Sequence, residues 1–161
     1  MDFSAYYIKG SSLKIRKAVK TDRDFLIQSQ IDMAMESEGM KLERETITLG
    51  VNKVFDGKEK CFYLVAETND SPVGCLLLTE EWSDWRNGRI LWIQSLYVLP
   101  QFRGKKIFSG LYNHLKQLVV QKDNDVIGLR LYVEKENLMA TEIYQHLGMD
   151  GEHYNMFEWI P

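Results

Sequence analysis

Between Cys61 and Val98 the chain holds three β-rich apolar runs in close succession, Cys61–Thr68, Val73–Thr79 and Arg89–Val98. This succession constrains the fold most, because neighbouring strands must pair with one another or leave bare edges. Asn69-Asp70-Ser71-Pro72 separates the first two runs and is a strong turn signal, so they read as a hairpin. The third run is almost continuously apolar, as a strand covered on both faces is, and Pro100 stops it. Before it lies Glu80-Glu81-Trp82-Ser83-Asp84-Trp85-Arg86-Asn87-Gly88, which reads as a polar loop carrying two large aromatics.

The flanks alternate between helical and strand periodicity. Leu13 to Val19 alternates and predicts a first strand. Thr21-Asp22-Arg23-Asp24 opens a helix reaching about Glu38, with Phe25, Ser29 and Met33 at helical spacing. A second helix is expected from about Glu43 to Phe55, ended by Asp56-Gly57. Beyond Pro100, residues Ile107, Leu111, Leu115 and Leu118 share one helical face. A strand is expected at Gly128–Val133. A short helix then opens near Asn137, with Gly148 at its C-terminal stop. Glu152 to Ile160 alternates well enough to predict one last strand. The order implies an α/β (α+β) fold, a mixed sheet with helices on both faces.

At 161 residues the chain is expected to be a single domain over 1–161. Its 20 Lys+Arg against 23 Asp+Glu leave a net charge of −3, which argues against wrapping nucleic acid. No apolar run approaches a bilayer span, and Met1 to Lys14 lacks the apolar core of a secretory signal. A soluble cytoplasmic protein, without nucleic-acid or membrane partners, is the expectation. Cys61 and Cys75 both sit in apolar runs and read as buried free thiols, with a cross-strand disulfide the alternative. His114, His146 and His153 show no metal-ligand spacing, so no metal is expected.

The element that carries chemistry is strand, turn and helix: Ser95-Leu96-Tyr97-Val98, then Gln101-Phe102-Arg103-Gly104-Lys105-Lys106, then the helix from Ile107. A helix N-terminus presents N–H groups and partial positive charge to an anion. Three cationic side chains join it, and Gly104 lets backbone approach closely. The local chemistry alone also fits a surface turn merely decorated with basic residues. It is neither a Walker A loop nor a dinucleotide fingerprint.

Gln101-Phe102-Arg103-Gly104-Lys105-Lys106 resembles the Gln/Arg-x-x-Gly-x-Gly/Ala motif of the GNAT superfamily of N-acetyltransferases, which bind acetyl-CoA. Leu96-Tyr97-Val98-Leu99-Pro100 is similar to the family's strand before that loop. Asn137, Ala140, Tyr144 and Leu147-Gly148-Met149 resemble its second motif, and Ile15-Arg16-Lys17-Ala18 with Asp22 its first strand and helix. The resemblance covers nearly the whole chain. Lys106 departs from it, standing where Gly or Ala is usual.

The resemblance implies an acyl-CoA N-acyltransferase fold with a mostly antiparallel sheet. It also implies acetyl transfer to a primary amine by direct attack, with no covalent enzyme intermediate. Leu96, Tyr97 and Val98 would meet the pantetheine arm, and a backbone N–H near Leu96 or Tyr97 the oxyanion. Gln101, Arg103, Gly104, Lys105, Lys106, Ile107 and Phe108 would cradle the pyrophosphate, with Asn137, Ala140 and Tyr144 also at the cofactor. Tyr144 matches the family's tyrosine general acid; its plainer reading is a buried aromatic with a satisfied hydroxyl. The base is open: Glu80, Glu81 and Glu134 are the acidic candidates, with a water relay through Gln94 as a substitute. Surface glutamates of this kind are more often simply solvated.

Trp82 and Trp85, with Asp84 and the two glutamates, suggest a site for a cationic acceptor, since carboxylates and indole faces both attract ammonium. An aromatic cluster there equally suits a homodimer contact. His153 is a weaker proton-transfer candidate. The expected function is acetyl transfer from acetyl-CoA to a small-molecule amine. A peptide or protein acceptor, a catalytically weak CoA-binding module and a nucleotide-binding domain are the alternatives.

Overall fold

The periodicities resolve, in a computed structural model, into six strands and four helices among the described residues, which are 6–7, 12–121 and 125–160. The expectation for Met1 to Lys14 falls largely outside them. In chain order the elements are β1 (Tyr6–Tyr7), β2 (Leu13–Lys17), α1 (Arg23–Glu38), α2 (Arg44–Phe55), β3 (Cys61–Thr68), β4 (Ser71–Ser83), β5 (Gly88–Val98), α3 (Ile107–Val120), β6 (Val126–Leu131) and α4 (Leu138–His146). Two compact units divide at Arg130, the first ending there and the second running from Leu131 to Pro161.

The sheet order follows the sequence from β1 to β6, and the ladders from β1 through β5 are antiparallel. The β3–β4 hairpin turns as its sequence demands. Thr68 pairs with Ser71, and Asn69 and Asp70 take φ of 50° and 57°, the left-handed conformation of the tightest hairpin turns. The resulting register sets Cys61 opposite Thr79 and Cys75 opposite Val65, so the two thiols do not face each other and both are free. Burial pushes the Cys75 thiol up to about 12, a protonated and unreactive packing residue.

Strand alternation sorts the core. Tyr63, Val65, Cys75 and Tyr97 point to one face and pack under Leu26 and Ile27 of α1 and Val51 of α2. The opposite face meets α3, whose Ile107 side chain lies against Gly74 of β4. Helices therefore cover both faces, as the pattern implied. The start of α1 is braced by Arg16, which donates to both Asp22 oxygens at 2.7 and 2.9 Å and to Glu67 at 2.6 Å. Burial would raise the Asp22 pKa, but hydrogen bonds from Arg16 and from the Val19 N–H outweigh it and hold the carboxyl below its ordinary range.

Three expectations need correction. Glu80–Ser83 is not loop: β4 continues to Ser83 and pairs with Gly88–Leu91, leaving only 84–87 as the turn. Glutamate and tryptophan are polar enough to suggest a loop, yet opposed residues satisfy the ladder whatever their side chains. The strand expected at Gly128–Val133 is β6, two residues earlier. No strand forms over Glu152–Ile160, where Tyr154, Met156, Phe157, Trp159 and Ile160 are exposed. Alternation supplies a strand's faces but not its hydrogen-bond partner, and no ladder joins these residues.

Candidate active site

The loop after β5 is built by backbone geometry. The β4–β5 register shifts between Leu76 and Leu78: Leu76 faces Leu96 while Leu78 faces Ile93, so Gln94 and Ser95 together oppose Leu77. Such a bulge disrupts the ladder locally and re-aims the residues beside it. Leu96, Tyr97 and Val98 follow at once, then a 3-10 turn at Pro100–Phe102. Gly104 and Lys106 both take the left-handed conformation, at φ 72° and 62°, and Ile107 begins α3. Gly74 fixes that helix start. A Cβ there would lie 3.2 Å from Ile107 Cγ2 and from the Tyr97 carbonyl, so any other residue would have to push the first turn of α3 off β4 by a few tenths of an ångström.

The left-handed turn at Lys106 suits glycine, which has no Cβ to strain. A residue with a Cβ is strained at that φ by about 1–2 kcal/mol. The resulting cradle presents the first amides of α3 together with Lys105 and Lys106, both exposed. Space above Gly104 is open, since a Cβ there would meet nothing within 4 Å. An exposed, cationic, glycine-containing helix start fits a pyrophosphate. Gln101, Phe102 and Phe108 lie within or beside the same turn; Lys105 Nζ sits 5.0 Å over the Phe102 ring.

Arg103 is engaged differently. It donates to the Val98 carbonyl at 3.0 Å and to Glu36 of α1 at 2.5 Å. Tyr97 donates its hydroxyl to the other Glu36 oxygen at 2.8 Å. The Arg103 hydrogen bond, helped by that of Tyr97, holds the Glu36 carboxyl below its ordinary range. Burial and the Glu36 carboxylate push the Tyr97 phenol up to about 12. Glu36 carries no local sequence signal, being 67 residues from its cationic partner.

At the far end of the hairpin, alternation separates what the sequence sets side by side. Thr79, Glu81, Trp92 and Gln94 share the face of Cys75. Gln94 Nε2 donates to Thr79 Oγ1 at 2.9 Å, and Trp92 Nε1 to Glu81 Oε2 at 2.5 Å. Arg130 donates to Glu81 Oε1 at 2.7 Å and lies over the Trp92 ring. Glu80 and Trp82 point to the other face, where Glu80 accepts from Arg89 at 2.8 Å. Trp85 sits in the exposed turn. The structure therefore sets Glu81 and Gln94 on one face of the hairpin and Glu80 and Trp82 on the other, with Trp85 in the turn.

In the second unit, Asn137 caps α4, its side-chain oxygen accepting the Ala140 N–H at 3.1 Å. Glu134 accepts the Glu136 N–H within its own turn, and His153 pairs with Asp150 on the surface. Tyr144 is half-buried, and burial raises its pKa above 10, so the phenol keeps its proton at neutral pH. Among the described residues no cluster of metal-ligating side chains occurs, and no helix is long and apolar enough to cross a membrane.

Comparison with known proteins bears on the fold and the family. An uncharacterized N-acetyltransferase of Archaeoglobus fulgidus is 25% identical over 82% of this chain and 89% of its own length. The crystal structure of a possible acetyltransferase from Clostridium difficile superposes with a TM-score of 0.86 at 40% identity, covering 92% of this chain and 97% of its own. An aminoglycoside N-acetyltransferase solved in complex with CoA shares the fold, with a TM-score of 0.74, 15% identity and coverage of 96% and 99%. The model of the acetyltransferase (GNAT) family matches residues 26–149, and this chain, an acyltransferase, belongs to that family.

Proposed function

We propose that this protein transfers the acetyl group of acetyl-CoA to the primary amine of a small cationic acceptor. The observation that carries the reading is the bulged strand running into a left-handed, lysine-bearing turn at the start of α3. The amides at Ile107 and Phe108, with Lys105 and Lys106, hold the pyrophosphate, and backbone near Leu96 and Val98 meets the pantetheine arm. Bound acetyl-CoA supplies the activated acyl group. A Leu96 or Tyr97 N–H, re-aimed by the bulge, steadies the oxyanion that forms on attack. Tyr144 is the general acid; its raised pKa keeps the proton that a departing thiolate needs.

Both Glu81 oxygens already accept hydrogen bonds, which suits it to holding an ammonium in place rather than removing its proton. Deprotonation then falls to a water oriented by Gln94. A peptide amine would use the same groups. One observation favours a second reading, a CoA-binding module of weak activity: Glu80 and Glu81, the acidic candidates nearest the loop in sequence, are each matched by an arginine.

Calorimetry with CoA and thiol release over an amine panel test the reading. Wild type is expected to bind CoA and to release thiol only with an amine. Tyr144→Phe keeps CoA binding while kcat falls about 100-fold. Because burial raises the Tyr144 pKa, loss of kcat at alkaline pH is expected at higher pH than a free phenol would give, and the variant lacks that limb. Unchanged turnover in Tyr144→Phe removes the residue from its role, and CoA binding without turnover on any amine selects the module.

A further inference from the structure

The Arg103 side chain lies at the surface, yet its guanidinium is engaged by the protein's own groups. Its Nε holds the last carbonyl of β5 at Val98, its Nη2 holds Glu36, and its Cζ lies over the Tyr97 ring, 5.5 Å from the centroid. Tyr97 in turn donates to the same carboxylate. One side chain near the end of α1 thus ties the end of β5 to the residue that enters the left-handed turn. The guanidinium fork makes both bonds while lying over the ring, an arrangement an ammonium cannot copy. The carboxylate also neutralises Arg103. Lys105 and Lys106 differ, since among the described residues neither pairs with a carboxylate.

We propose that the Arg103 side chain is a positioning residue and not a phosphate ligand. With Glu36 and Tyr97 it forms a strut that fixes the turn over 99–106 against α1, leaving the anion to Lys105, Lys106 and the first amides of α3. This rests on the CoA reading above, and it assigns Glu36 a role in cofactor affinity although it lies on a different element from the loop.

The test follows CoA binding by calorimetry across a salt series for wild type, Arg103→Ala, Arg103→Lys, Glu36→Gln, the Glu36→Gln/Arg103→Ala double variant and Lys105→Ala. Arg103→Ala and Glu36→Gln are each expected to weaken binding by a similar factor, roughly threefold to tenfold, with the double variant no worse than the weaker single one. Arg103→Lys gives no rescue, although it keeps the charge. The Arg103 and Glu36 variants retain the wild-type salt dependence, whereas Lys105→Ala flattens it by removing a cation that meets the anion. A flattened slope in Arg103→Ala, recovery in Arg103→Lys, or tighter binding in Glu36→Gln would overturn the strut. If wild type binds no CoA, the underlying reading fails. The strut is then judged by hydrogen exchange of amides 99–106, which quickens equally in Arg103→Ala and Glu36→Gln if it exists and in neither if it does not.

Discussion

The turn after β5 and the far end of the β4–β5 hairpin each concentrate charge over a few residues, and the two regions use it in opposite ways. In the turn all three cations are exposed, but Arg103 is paired with Glu36, while Lys105 and Lys106 beside the start of α3 pair with no carboxylate among the described residues. There, backbone dipoles and side-chain charges share one sign and add. At the hairpin end, Glu80 and Glu81 are successive residues of a strand, so they point to opposite faces and meet different arginines, Arg89 and Arg130. Asp84 accepts the N–H of Trp85 within the turn. Adjacent charges in a turn reinforce one another, whereas adjacent charges in a strand are divided between two surfaces.

If the hairpin end is first a structural joint, its largest sensitivity should be steric. Gly88 lies where β5 meets β6: a Cβ there would stand 2.6 Å from Ile127 Cγ2 and 3.0 Å from the Asp125 carbonyl, and the next residue, Arg89, bonds that carbonyl at 2.7 Å. Gly88→Val is expected to cost about 2–3 kcal/mol of stability, read from urea unfolding. An unchanged midpoint would mean that β6 shifts freely, and the joint would lose its meaning.

The sequence made the turn legible and the hairpin end misleading for the same physical reason. The turn's shape is local: glycine, lysines and a helix start lie within one short stretch, and that stretch folds into the left-handed turn before α3. The β3–β4 hairpin was equally readable, because its turn residues dictate its register. The acidic stretch misleads because side-chain polarity says nothing of the ladder that extends β4 to Ser83. Glu36 was invisible for a different reason, since its partners are distant in sequence and no periodicity singles it out. Tyr154 to Ile160 alternate without a pairing strand, so a real pattern gave a false expectation there.

A kinetic comparison of the two glutamates tests the division between faces. Glu81 shares its face with Thr79, Trp92 and Gln94, the side proposed to receive the amine, and Glu80 does not. Glu81→Gln should raise the acceptor KM about fivefold to tenfold with kcat less affected, the pattern of lost ground-state binding. Glu80→Gln should leave KM within about twofold. Equal effects would show that the faces do not matter and that overall acidity attracts the amine.

The smallest expected effect belongs to the turn and separates its geometry from its charge. Lys106 takes φ 62° with a Cβ, a conformation glycine adopts without steric penalty. Lys106→Gly should relieve strain and stabilise the fold by up to about 1 kcal/mol, less than the full strain because glycine also gains freedom in the unfolded chain. The same change removes one of the turn's two lysines, so CoA binding should weaken and become less sensitive to salt even as the protein becomes more stable. Stability and affinity moving in opposite directions would show that the turn tolerates strain to hold a charge at the helix start. Should both rise together, the lysine contributes nothing to the anion, and the turn's backbone would be the whole of its chemistry.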